Sequence, residues 1–132
     1  MKTAAGSLMT ANAGLFFFGA VQHLGFAIGP FHEPHILPAA IVESICGLCL
    51  LWGATAIFLR STGHWLTALI ANLVAFAGVM LGMVALALGR GPRTASNDLY
   101  HRIMLTLVAG AVLILLFERK AVRSGLRRQV PK

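Results

Sequence analysis

ILPAAIVESICGLCLLWGATAIFL, residues 36–59, is 24 residues long and carries one charged side chain, Glu43. A hydrocarbon core of about 30 Å is crossed by roughly 20 consecutive apolar residues in a helix, so this stretch reads as a membrane span. Working outward, three more apolar stretches of that kind appear, at about 8–28, 65–88 and 98–117. In the last, the clean apolar core covers only 103–117, and Tyr100, His101 and Arg102 extend it into the interface, where amphipathic side chains can reach the headgroups. Trp65 and Tyr100 suit an aromatic belt at the span ends.

Composition agrees with this reading. The 132 residues are 58% hydrophobic and 11% charged, and the mean hydropathy is +0.80. Soluble domains carry about 25% charged residues, so a water-facing surface cannot be built from this supply. That excludes a soluble enzyme, a disordered tail and a disulfide-stapled mini-protein. The net charge of +7 is concentrated at one end. Six of the eleven Lys and Arg residues are Arg119, Lys120, Arg123, Arg127, Arg128 and Lys132. A basic run placed directly after an apolar segment reads as a cytoplasmic anchor beside anionic lipid, with no nucleic-acid partner.

Local chemistry marks the breaks. Gly29-Pro30 ends the first span, Pro38 falls in the first turn of the second, and Ser61-Thr62-Gly63 makes a tight connection. Gly91-Pro92 closes the third span, and Ser96-Asn97-Asp98 offers N-caps for the fourth. Short connections imply an all-α, integral membrane, up-down four-helix bundle forming one domain. Lys2, Arg60 and the six tail residues lie on one side; Arg90, Arg93 and Arg102 lie on the other. The excess places both termini, and the tail 118–132, in the cytoplasm. The first apolar run is too long, and too poor in cleavage signals, for a signal peptide. Gly25 with Gly29, and Gly78 with Gly82, have the four-residue spacing of close helix contacts. Asn12 and Asn72 are expected to hydrogen-bond between helices.

The polar remainder is unevenly placed. Glu33, Glu43 and Asp98, three of the four acids, lie toward the outer face with His23, His32, His35 and His101. His23 and Glu43 are each ten residues from position 33, which predicts similar depth, roughly 8–10 Å inside the helix ends. Ionisable groups at that depth must face the bundle and find partners. We therefore expect an outward-facing polar pocket of His23, Glu43 and His101. That set reads as a hydrogen-bonded cluster fixing helix order, beside an Asp98–Arg102 surface pair. The alternatives are a metal held by His23, Glu43 and His101 with His32 and His35, or contact with a haem or quinone. Cys46 and Cys49 form a CxxC, either a redox dithiol or two small packing residues. No nucleophilic triad and no phosphate-binding glycine loop is present in the sequence.

Gly19-Ala-Val-Gln-His23-Leu, a proline-containing loop, and Ile41-Val-Glu43-Ser-Ile-Cys-Gly47-Leu-Cys-Leu-Leu-Trp-Gly53-Ala together resemble the DoxX-like group of small bacterial membrane proteins. The resemblance covers about residues 14–60 and implies a four-helix bundle in a bacterial cytoplasmic membrane, among relatives some of which are associated with quinone or thiol redox complexes. The functional expectation is an accessory or scaffold subunit of a membrane complex, with other membrane subunits or its own copies as partners. A membrane redox protein is the alternative, and a small-solute or metal-ion permease follows only if an oligomer supplies the pore.

Overall fold

A computed structural model describes residues 2–28, 34–91 and 94–128, with side chains between 4 and 120. Its elements are α1 (Lys2–His23), α2 (Leu37–Phe58), α3 (His64–Ala87) and α4 (Ala95–Arg128). All four are long and apolar enough to cross a membrane, over Ala4–His23, Leu37–Phe58, His64–Ala87 and Ala95–Lys120. At 1.5 Å per residue the 34 residues of α4 extend roughly 50 Å, so its basic end continues as helix well past the apolar span. The tail expected from residue 118 is helical through Arg128; the side chains of Arg123, Arg127 and Arg128, and all of Lys132, lie outside the described residues.

Each helix packs on the next, and α1 meets α4 to close the ring. Cross-helix contacts give the directions. The ring of Phe58, at the end of α2, lies against Gly6, at the start of α1. The Trp65 indole N–H, at the start of α3, donates to the Leu115 carbonyl near the end of the α4 span at 2.8 Å. Neighbours are therefore antiparallel. One end of the bundle gathers the end of α1, the start of α2, the end of α3 and the start of α4.

The helices stop for a shared reason. In each of the first three, the second residue past the C-terminus turns left-handed: Gly25 (φ 92°), Arg60 (φ 51°) and Gly89 (φ 70°). The next N–H then reaches back to close the last turn: Phe26 to Val21 O (3.3 Å), Ser61 to Ala56 O (3.1 Å) and Arg90 to Ala85 O (2.9 Å). This is the Schellman arrangement, which satisfies carbonyls a helix end would otherwise leave bare. It also corrects the expected first span of 8–28: the helix ends at His23, before Gly29-Pro30, and Gly25 is a turn residue. Pro38 does fall at the start of α2. The cap of α4 is Thr94 instead of Ser96, Asn97 or Asp98; its hydroxyl accepts from the Asn97 N–H at 3.1 Å.

Small residues allow the close approach. A Cβ built on Gly53 would sit 2.5 Å from Met9 Cε, 2.8 Å from Ala71 Cβ and 3.2 Å from the Ala68 backbone. Cys46 packs its sulfur on Gly78, and His101 lays its ring on Gly82, so that pair is indeed at helix contacts. Around this core the outward faces of α2, α3 and α4 expose large apolar side chains, Trp52, Leu66 and Phe117 among them, and α1 adds Val21. Replacing Gly53 with alanine should cost about 1–3 kcal/mol, because Ala68 and Ala71 cannot yield as a flexible methionine can. Gly14 has open space around it. Gly14→Ala should be neutral or gain up to about 1 kcal/mol. Unfolding titrations in mixed micelles measure both, and equal effects would contradict the packing described.

Candidate functional site

The polar end is built from four helices. His23 is the last residue of α1, and its carbonyl accepts from the Ile36 N–H at 2.9 Å, tying that end to the entry of α2. Glu43 lies in the second turn of α2. Both are buried, and His23 Nε2 is 3.9 Å from Glu43 Oε1. Glu43 is level with Gly19, one turn short of the end of α1. The two side chains thus reach each other along the helix axis, and the symmetric depth expected about position 33 is not seen.

Gly19 is the floor on which the cluster assembles. A Cβ there would lie 2.5 Å from the Tyr100 hydroxyl and 2.6 Å from Glu43 Oε1. Without one, α2 and α4 bring an acid and a phenol together against the backbone of α1. The Tyr100 hydroxyl donates to the Leu15 carbonyl of α1 at 3.2 Å, and the same oxygen lies in hydrogen-bond contact with the Glu43 carboxyl. Tyr100 therefore faces inward and stitches α4 to α1, where the sequence suggested an interfacial belt. Trp65 also turns inward, with the Arg119 guanidinium 3.9 Å from its ring centroid.

His101 comes from the other side. Its Nδ1 is 2.9 Å from the Asn97 carbonyl, one turn back on α4, and its ring meets Tyr100 edge-on at 5.5 Å between centroids. A carbonyl can only accept, so Nδ1 carries the proton, and in the neutral ring Nε2 is left as an acceptor beside Gly82. Between these groups lies a cavity of about 340 Å³. His23, Glu43, Tyr100, His101, Asn97 and Arg90 supply its polar atoms. Val42, Leu81, Leu86 and Ile36 make apolar walls, and buried Phe16 and Met104 close it toward the bundle centre.

The structure thus places His23, Glu43 and His101 around one cavity. His35 is exposed and does not line it, and His32 and Glu33 lie outside the described residues. Among the described residues no three His, Cys, Asp or Glu side chains sit together as a group able to hold a metal ion. The metal set of His23, Glu43, His101 and His35 therefore has no assembled ligand shell here. Cys46 and Cys49 are free thiols and neither lines the cavity. Cys46 is buried and its sulfur donates to the Val74 carbonyl at 3.9 Å, a packing contact between α2 and α3. Tyr100, Gly19 and Gly82 were not legible as site residues from the sequence. The signal that could have found them is a helical register in which Gly19, Glu43 and Tyr100 share one level of the bundle.

No family model, no curated protein and no solved structure matches this chain. The assignment of the site therefore rests on its chemistry. Tyr100→Phe should lower stability by about 1 kcal/mol through the lost hydrogen bonds. Gly19→Ala should lower it by about 1–3 kcal/mol by prising Glu43 and Tyr100 from α1. Denaturant titration reads both; wild-type midpoints for both variants would contradict the cluster.

Proposed function

We propose that this chain is a multi-pass membrane protein, an accessory or scaffold subunit whose pocket, on the outer side, binds a small amphipathic molecule. The observation that carries the reading is the cavity of about 340 Å³ with apolar walls and buried polar groups at one end, the usual make-up of a small-ligand site. Glu43 and, in the neutral ring, the Nε2 of His101 offer hydrogen-bond acceptors, so the fitting headgroup carries a donor such as a hydroxyl. The apolar body lies along Val42, Leu81 and Leu86.

The membrane setting is supported by the four long apolar helices and by the belt of exposed leucine, isoleucine and phenylalanine. The charge asymmetry orients it. Arg60, Arg119 and Lys120 stand at the bundle end away from the cavity, and this excess of positive charge supports a cytoplasmic location for both termini, beside anionic lipid. The DoxX-like kinship and a bacterial cytoplasmic membrane belong to this proposal and rest on residues 14–60. The redox alternative is weakened because the dithiol does not line the cavity. A pore within one chain is disfavoured by Phe16 and Met104, which close the axis.

In a background lacking Cys46 and Cys49, His35→Cys should react with a membrane-impermeant maleimide from outside intact cells, while Thr62→Cys should react only after lysis; the reverse pattern overturns the orientation. For the pocket, 2-naphthol should raise the Tm of the detergent-solubilised protein and naphthalene should not. Ala39→Phe, which fills the cavity, should abolish the shift. Equal shifts with both compounds, or a shift kept in Ala39→Phe, would sink the ligand reading.

A further inference from the structure

The centre of the bundle holds a second polar feature, separate from the cavity. Asn12 and Asn72 are both fully buried, at 0% exposure. The Asn72 amide donates to the Ala68 carbonyl of its own helix at 2.8 Å, not between helices as the sequence suggested. Its Oδ1 has no hydrogen-bond partner, and neither Nδ2 nor Oδ1 of Asn12 has one. Buried amides are almost always partnered, and one that is not calls for a physical explanation.

Their heights can be read from the contacts. Met9 and Ala71 converge on Gly53, so those levels of α1, α2 and α3 coincide. Asn12 and Leu50 each lie three residues, about 4.5 Å, above that level, and Asn72 lies within one turn of it. From the other end, Trp65 bonds Leu115; Asn72 and Val108 are each seven residues, about 10.5 Å, from that pair. Asn12, Leu50, Asn72 and Val108 therefore fall in one layer about a turn deep, one residue from each helix and all at 0% exposure. The two amides come from diagonally opposed helices, with aliphatic side chains filling the other two corners. They share a layer, yet they do not bond each other directly.

We propose that Asn12 and Asn72 bind a water molecule between them at the centre of the bundle. The unfilled atoms choose the occupant. Asn12 needs an acceptor for its N–H groups and a donor for its oxygen, and Asn72 needs a donor for its oxygen. Water does both at once and makes the three or so bonds typical of buried water. A metal ion would find two amide oxygens, where magnesium needs six oxygens and calcium six to eight, and would face the Asn12 N–H groups. An apolar occupant would satisfy none of these atoms. Phe16 and Met104 lie between this layer and the cavity, so the water is a separate, enclosed site.

Water-edited solid-state NMR on the full-length ¹⁵N-labelled protein in lipid bilayers tests this directly. Magnetisation from water should reach the Asn12 side-chain amide at least fivefold faster than the Leu50 and Val108 backbone amides of the same layer. Asn12→Leu identifies the signal by removing it. Asn72→Leu should slow transfer to Asn12 severalfold, whereas Asn72→Ser, which keeps an acceptor, should preserve most of it and also covers failure of the leucine variant to fold. Transfer to Asn12 no faster than to Leu50 would overturn the proposal. So would a through-hydrogen-bond coupling between the two asparagine side chains, which would show that they bond each other instead.

Discussion

The arrangement at the polar end depends on one close approach: Glu43 of α2 and Tyr100 of α4 meeting on the bare backbone of Gly19 in α1. A carboxyl group in an apolar bundle is costly unless it is held by polar partners. Here the partners come from two other helices, the hydroxyl of Tyr100 and the imidazole of His23 at 3.9 Å. That requirement fixes three helices relative to one another. Once they are fixed, the fourth wall follows, because His101 must rest on Gly82 of α3. The cavity is the space this arrangement leaves at the end of the bundle, where the chain turns between helices.

The same logic runs through the rest of the molecule at lower stakes. Helices surrounded by lipid have no hydrophobic driving force between them, so a bundle in that setting is held by close packing and internal hydrogen bonds. Gly6, Gly53 and Gly78 admit Phe58, Met9 and Cys46 respectively. Hydroxyls in the helices bond back to their own carbonyls, as Thr10 does to Gly6 at 3.0 Å and Ser44 to Ala40 at 2.8 Å. These choices leave few polar atoms facing the apolar exterior. Among the described residues the asparagine layer departs from this at the centre of the core, and a bound water would partner its amides.

How much of this was legible in the sequence depends on whether a signal is local. The four apolar runs and the proline at the start of α2 are local, and they read directly as helices. His23 and Glu43 stand out because they are ionisable residues within or bordering apolar runs, a cost that demands partners. The end of α1 is not legible in the sequence, because a turn glycine at Gly25 sits in an apolar run and looks like a helix glycine. Its left-handed φ comes from the capping bonds of Phe26 and Gly25, which composition does not reveal. At a span end the sequence favours an interfacial position for Tyr100, because span ends favour aromatic rings. Its inward turn depends on Leu15, 85 residues away, and on Gly19 lacking a side chain. Asn72 bonds within its own helix, where the Ala68 carbonyl lies one turn back on the same face.

The polar end depends most directly on the meeting of Glu43 and Tyr100 at Gly19. Carbon–carbon correlation spectra of the ¹³C-labelled protein in bilayers report it. A cross-peak between the Glu43 carboxyl carbon and the Tyr100 ring carbon that bears the hydroxyl is the predicted result. The contact of Trp65 with Leu115 serves as the internal reference for a correctly folded bundle. A spectrum with the Trp65–Leu115 cross-peak but none between Glu43 and Tyr100 would contradict the site as described here.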